Sequence, residues 1–241
     1  MRDRLILLSG WAFGPAALQP LCDVLAEQAP HLAVDVFPLP SEPEPDAWLE
    51  VLEAQLPEDS WLAGWSLGGM LAAQLAARRG ERCRGLITVA SNPVFRANES
   101  WPAAMPADVF DTFFEAFRLD AEETLKRFCV LTSRGGYDAR TLARQLQVTL
   151  AEQSPAALDA GLQLLARLDV RAALADFRGP QLHLFAERDA LVPIAAAEAL
   201  VDVVPDAEVA VLDGAGHGLP LERADDVAAT LLAFLREGED G

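Results

Sequence analysis

The hexapeptide Gly64-Trp65-Ser66-Leu67-Gly68-Gly69 constrains the fold of this chain more than any other stretch. A short apolar run, Trp61-Leu62-Ala63, precedes it, and a helix-period run from Met70 to Arg79 follows. The chain must therefore pass from strand to helix in one tight turn centred on Ser66. Such a turn strains the backbone at the serine and needs small residues two before and two after it, which Gly64 and Gly68 supply. The hydroxyl is then held out at the end of a sheet and at a helix N-terminus, where an oxyanion can be stabilised. In that context Ser66 is a candidate nucleophile; without it, Gly-x-Ser-x-Gly is a common structural turn.

Apolar runs of strand length recur at Leu5–Leu8, Leu32–Phe37, Trp61–Ala63, Leu86–Ala90, Leu182–Ala186 and Val209–Leu212. Several are continuous rather than alternating, as strands covered on both faces must be. Helix-period stretches lie between them. Ala16–Gln28 carries Leu18, Leu21 and Leu25 on one side; Ala47–Leu56, with Asp46 as the expected N-cap, groups Trp48, Leu49 and Leu52. Met70–Arg79 stops at Gly80, and a last helix near Ala224–Arg236 presents Val227, Leu231 and Phe234. Strand alternating with helix predicts a mostly parallel sheet flanked by helices, an α/β fold.

The alternation breaks between residues 92 and 174. Helical segments are expected there at Ala107–Phe117, Ala121–Leu131, Ala139–Gln153 and Ala156–Leu168, entered through Pro93, Pro102 and Pro106. The expected organisation is a single continuous domain: a core of residues 1–91 and 175–241, and a helical lid insertion over 92–174 at the carboxyl edge of the sheet. The tail, Arg236–Gly241, is expected to fray.

A length of 241 residues, half of them hydrophobic, suits one α/β domain with an insertion. No run of eighteen apolar residues occurs, so no membrane span is expected, and the apolar part of Met1–Leu8 is short for a secretory signal. A formal charge of -18 argues against nucleic acid and anionic membranes as partners. Cys22, Cys83 and Cys129 lack metal-ligand spacing; read as reduced, they place the chain in the cytoplasm. No metal or other cofactor is expected.

A serine hydroxyl needs a base. Of three histidines, His183 lies inside an expected strand and reads as packed, and His31 follows Pro30 at a surface-like junction. His217, in Gly214-Ala215-Gly216-His217-Gly218 directly after the last strand, is the candidate base, against the alternative of a solvated loop histidine. The acid that fixes its tautomer is expected at Asp189, after the preceding strand, with Glu187 and Asp213 as competitors. The candidate oxyanion donors are the backbone N–H groups of Leu67 and of Trp11, in the loop after the first strand. That loop lacks Gly-x-Gly-x-x-Gly or Lys-Ser/Thr, so phosphate binding is not expected. Trp11, Trp65, Phe110, Phe113, Phe114 and Phe117 are candidates to line an apolar acyl pocket; aromatics at helical spacing also suit plain core packing.

Nearly the whole chain resembles the α/β-hydrolase superfamily. Within it, the chain is similar to the pimeloyl-acyl-carrier-protein methyl ester carboxylesterases of biotin synthesis. The matching strings are Ser9-Gly10-Trp11, the hexapeptide, Ala90-Ser91-Asn92-Pro93, Lys126-Arg127-Phe128, Gly161-Leu162-Gln163-Leu164-Leu165, Asp169-Val170-Arg171 and Asp189-Ala190-Leu191-Val192-Pro193. The resemblance implies Ser66, His217 and Asp189 as the catalytic triad and Trp11 and Leu67 as oxyanion donors. It also implies substrate contact at Trp65 and a helical lid that docks acyl carrier protein bearing a pimeloyl methyl ester. The chain departs from the family at Ser9, where many members carry histidine, and at Gly218, where a bulky apolar residue often stands. Gly218 is expected to loosen His217 or widen the leaving-group side.

Charge points to the same partner. From Lys126 to Leu150 the residues Lys126, Arg127, Arg134, Arg140 and Arg144 face one acid, Asp138, giving a window of +4 that suits an acidic carrier protein. An ordinary solvated helix face would look the same. Two further readings stay open: an esterase or other enzyme of this fold acting on small esters, and a non-catalytic binding protein.

Overall fold

The computed structural model describes residues 4–237. Among them, six strands form one sheet: β1 (Arg4–Leu8), β2 (Ala33–Phe37), β3 (Ser60–Trp65), β4 (Cys83–Val89), β5 (Gln181–Ala186) and β6 (Glu208–Leu212). Their order is β2-β1-β3-β4-β5-β6, with every neighbouring pair parallel. All six residues of β3 are buried, whereas the five of edge strand β2 are all half-buried, which explains the continuous apolar runs in the middle of the sheet.

The core helices are α1 (Gln19–Gln28), α2 (Trp48–Gln55) and α3 (Leu67–Arg79). The segment between β4 and β5 adds α4 (Ala107–Leu119), α5 (Ala121–Ser133), α6 (Ala139–Val148), α7 (Pro155–Arg167) and α8 (Arg171–Asp176). Beyond β5 come α9 (Ala195–Val203), α10 (Leu219–Glu222) and α11 (Ala224–Glu237). Helices α1, α10 and α11 pack together, while α2, α3, α8 and α9 form a second group. Leu18, Leu21, Leu25, Val227, Leu231 and Phe234 are buried as their spacing requires. Arg236 and Glu237 close α11, and the rest of the tail expected to fray lies outside the described residues.

The order in which strands are added reverses between β1 and β3, because β2 lies outside β1. The crevice at such a switch point is where open α/β sheets bind ligands, and it holds both the loop after β1 and the turn after β3. The segment between β4 and β5 leaves and rejoins the sheet through one neck: Val170 N–H donates to Pro93 O at 2.9 Å, and Val94 bridges Asp169. Helices α5, α6 and α7 begin with side-chain caps from Asp120, Asp138 and Ser154. The boundary expected at residue 174 falls inside α8, which packs on α3 and α9.

Two local expectations are corrected. Asp46 is not an N-cap: residues 45–47 form a 3-10 turn, Ala47 precedes α2 without a side-chain cap, and the Asp46 carboxylate instead meets Arg167. The helix expected over Ala139–Gln153 ends at Val148. Thr149 turns its hydroxyl back onto Leu146 O at 2.9 Å, and Leu150 leaves the helix to bridge Phe13, so its backbone finds partners across the molecule.

Among the described residues no helix is long and apolar enough to cross a membrane. The three cysteines are free thiols; burial pushes Cys129 up to about 12 and Cys22 and Cys83 up to about 11. His31 is exposed. His183 is buried, with Nδ1 2.7 Å from Thr88 Oγ1 on the neighbouring strand, and burial lowers its pKa to about 3. The folded chain therefore refuses a proton that the unfolded chain accepts. The stability this gives is complete above the unfolded pKa and is lost as pH falls from about 6.5 toward about 3. Urea unfolding of wild type and His183→Gln between pH 7 and 5 will show it: the wild-type slope near pH 5.5 should be steeper by about one proton.

Candidate active site

Ser66 joins β3 to α3 with φ 56° and ψ -121°, a conformation that costs a non-glycine residue about 1–3 kcal/mol. Its surroundings hold it there. Ser66 N–H donates to Val89 O at 2.9 Å, and Ser66 O accepts from Gly69 N–H at 2.9 Å and from Ser91 Oγ at 2.8 Å. The glycines are required by contact: a Cβ at Gly64 would stand 2.2 Å from the Gly68 carbonyl, and one at Gly68 would stand 2.4 Å from Ser9 O. Sequence reasoning found the glycines; it named Ser91 within a family-like string but missed that its hydroxyl braces the serine turn.

Asp189 follows β5 and His217 follows β6. Asp189 Oδ2 lies 2.7 Å from His217 Nδ1, and both side chains are 1% exposed. Asp189 Oδ1 accepts the N–H groups of Leu191 and Val192 at 2.7 and 2.9 Å, which fixes the carboxylate plane. A carboxylate only accepts, so Nδ1 carries the proton and Nε2 is left as the basic nitrogen. Nε2 is buried and has no hydrogen-bond partner among the described residues, Ser66 included. Bonds of this kind commonly tighten only around substrate. The other expected acids lie elsewhere: Glu187 accepts Gly214 N–H at 2.8 Å and so braces the histidine loop, while the carbonyl of Asp213 accepts from Arg223.

Trp65 ties the serine turn to the histidine loop. Its Nε1–H donates to His217 O at 2.9 Å, its ring centroid is 5.8 Å from the imidazole, and its other neighbour is Phe13, stacked at 4.9 Å. Leu67 is the first residue of α3, so its N–H has no acceptor within the helix and stands beside Ser66. Trp11 is buried in the turn after β1.

A cavity of about 170 Å³ is lined by Trp11; Ser66, Leu67, Asp189 and His217 are not in its wall. Trp11 and Ala190, the neighbour of Asp189, form one side; Phe110, Phe113, Phe128 and Leu162 from the helices above form another. Of the aromatics expected in its wall, Trp11, Phe110 and Phe113 are there. Phe117 packs edge-on against Trp11 at 5.7 Å, Phe114 lies under the Arg118 guanidinium, and Trp65 is held by Phe13 and His217; these three are not in the lining. Phe128, Met105 and Leu162 are, and only the packing of α5, α7 and the loop before α4 reveals it.

The basic residues are less concentrated than the sequence window implies. Lys126 pairs with Glu122 at 2.7 Å and Arg127 with Glu123 at 3.3 Å. Both acids lie just ahead of the window, and counting them lowers its charge from +4 to +2. Arg134, Arg140 and Arg144 are exposed and make no ion pair among the described residues; Arg134 also reaches the cavity wall. Gly218 does not leave a gap beside His217: a Cβ there would meet Leu142 at 3.0 Å, and Gly218 N–H donates to Thr132 O at 3.1 Å. Ser9 is fully buried, and its hydroxyl has no partner among the described residues.

The family model for the alpha/beta hydrolase fold matches residues 45–224. The pimeloyl-[acyl-carrier protein] methyl ester esterase of Aromatoleum aromaticum is 38% identical, over 98% of this chain and 99% of its own. That of Serratia marcescens is 32% identical, over 96% and 93%. The chain belongs to the α/β-hydrolase fold family and is related to these esterases over nearly its full length. The biotin biosynthesis bifunctional protein BioHC of Cellvibrio japonicus is 39% identical over 97% of this chain, which spans only 47% of that longer protein. Among solved structures, a bromoperoxidase from Bacillus anthracis superposes with TM-score 0.86 at 21% identity, covering 98% of this chain and 92% of its own. An esterase from Exiguobacterium antarcticum gives 0.83 at 19% identity, covering 97% and 92%. At such identities these two share the fold alone.

The backbone contacts at the serine turn predict a sharp intolerance. Gly68→Ala should lose about 3 kcal/mol or more of unfolding free energy, measured by chemical denaturation, because the obstructing atoms are carbonyls of β1 and its loop.

Proposed function

We propose that this chain is a serine carboxylesterase that hydrolyses the methyl ester of pimeloyl-acyl carrier protein, a step of biotin synthesis in the cytoplasm. The observation that carries the reading is the 2.7 Å bond between Asp189 and His217 Nδ1, which leaves Nε2 free as a base in the loop tied to the Ser66 turn. The relatives that bear this activity in their names align over nearly the full chain.

In this mechanism His217 Nε2 takes the proton of Ser66 Oγ as the oxygen attacks the ester carbonyl. The N–H groups of Leu67 and Trp11 hold the tetrahedral oxyanion. His217, now an imidazolium facing the Asp189 carboxylate, gives its proton to departing methanol. Water activated by the same nitrogen then releases the acid from Ser66. Every step is carried by protein groups, and the general base contributes about 10²–10⁴-fold. Trp11 and Phe113 would contact the acyl chain in the cavity. Phe117 supports Trp11 from behind, and Trp65 acts on the histidine loop rather than on substrate.

Residues 92–174 would serve as a helical lid on a core of 1–91 and 175–241. Arg134, Arg140 and Arg144, and more weakly the paired Arg127, would draw in the acidic carrier protein. Small esters would be turned over without that contribution.

Ser66→Ala should abolish hydrolysis of methyl pimeloyl-acyl carrier protein and labelling by a fluorophosphonate while the far-ultraviolet spectrum is kept; retained turnover sinks the assignment. Absence of a wild-type adduct would favour a binding protein. Equal kcat/KM for the carrier-protein ester and a short aryl ester would favour a broad esterase. Replacing Arg140 and Arg144 by Glu should raise KM for the carrier-protein ester roughly tenfold and leave a small aryl ester unaffected, and added salt should narrow the difference.

A further inference from the structure

The backbone of the loop carrying Trp11 is held mainly by the helical segment above it. Phe13 stacks on Trp65 of β3 at 4.9 Å, but the loop's own hydrogen bonds to the sheet and within itself are few: Ser9 N–H donates to Phe37 O and Phe13 N–H to Gly10 O, both at 3.2 Å. Ala12 sits at φ 65°, a conformation that a residue with a Cβ keeps only when its neighbours impose it. The neighbours that impose it come from the connection between α6 and α7. Gly14 N–H donates to Thr149 O at 2.9 Å, and Ala151 N–H donates to Ala12 O at 2.9 Å, an antiparallel bridge across Phe13 and Leu150. On the other side of Ala12, the Trp11 indole N–H donates to Leu158 O at 2.8 Å on α7. Gly161 lets the ring come that close, since a Cβ there would stand 2.5 Å from it.

We infer that Thr149–Ala151 and the Leu158 carbonyl form a backbone splint that sets the oxyanion loop. They are positioning residues for ester hydrolysis. The inference rests on Trp11 N–H being an oxyanion donor, as proposed above. Three hydrogen bonds bracket that N–H, at the side chain of its own residue and at residues 12 and 14. An oxyanion donor acts only within hydrogen-bond distance of a charge that exists in the transition state, so a displacement of about 1 Å is felt in kcat before it is felt in substrate binding. The end of α6 at Val148 is then part of the site: a continued helix would satisfy Thr149 and Ala151 internally and leave Ala12 O and Gly14 N–H without these partners.

Gly14 supplies the test. Its φ of -85° and ψ of 178° suit proline, and Phe13 before it forms an antiparallel bridge with Leu150, a β-type position that a following proline favours. Gly14→Pro replaces the N–H bound to Thr149 with a ring Cδ that pushes Thr149 O away, whereas Gly14→Ala keeps the bond, with its Cβ at an ordinary 3.6 Å from Thr149 O. With an aryl butyrate, kcat of Gly14→Pro should fall roughly tenfold or more against Gly14→Ala, with KM within about twofold. An aryl boronic acid, whose adduct on Ser66 places an oxyanion in the same position, should lose affinity in the same proportion. Folded Gly14→Pro protein that matches Gly14→Ala in kcat and boronate affinity overturns the splint. Hydrogen exchange of the wild-type protein decides the matter if the proline variant does not fold. Gly14 and Ala151 amides as protected as those of α7 support the inference, and exchange at the rate of a free loop refutes it. Loss of all Ser66 dependence in the same assay would refute the hydrolase reading instead, so the two failures are distinct.

Discussion

Backbone meets backbone at Gly64 and Gly68, and the position of Ser66 follows from that contact. Strand β3, the first turn of α3 and the end of β1 approach so closely that no Cβ fits between them. A serine at φ 56° is unfavourable by itself, so the surrounding packing must hold it. The central, fully buried strand supplies that packing, and the hydrogen bonds that Ser66 gives to Val89 O and receives from Gly69 and Ser91 leave the turn little freedom. Strain at one residue is thus distributed over three elements, and the hydroxyl stands at the switch point of the sheet because the chain has no other route there.

The helices between β4 and β5 are joined to both loops flanking Ser66. Thr149 and Leu158 accept from the loop after β1, and Thr132 accepts Gly218 N–H from the histidine loop. Gly216 carries no Cβ because the carbonyl of Arg134 lies where one would be, at 2.3 Å. Gly135, at φ 85°, meets the backbone of Arg188 in the same way. A segment with so many main-chain contacts to the proposed oxyanion and base loops does more than cover a pocket. Opening it as one rigid body would break bonds on both sides of the site at once.

Much of this was legible in the sequence, for reasons tied to particular residues. The strands were visible because central parallel strands are apolar on both faces, and the order serine, acid, histidine followed from which strand each loop closes. Asp189 was separable from Glu187 in advance only by position; the structure separates them by partner, imidazole for one and Gly214 N–H for the other. Facing directions were not legible. Trp65 adjoins Ser66 in sequence, yet its ring turns to Phe13 and His217 because β3 residues alternate faces and the neighbouring space is already filled. The basic window overstated the local charge because it began at Lys126, one helical turn after the acids that neutralise part of it.

Gly218 shows how a local departure is resolved by distant packing. Read alone, a glycine after His217 suggests slack in the loop. In the fold, Leu142 of α6 lies where a side chain at 218 would go, so the apolar bulk stands on the facing helix instead. Leu142 is buried in the same helix whose exposed face carries Arg140 and Arg144. One surface of α6 therefore confines the histidine loop while the other offers positive charge to solvent. Leu142 thus ties the position of α6 to the loop that carries His217.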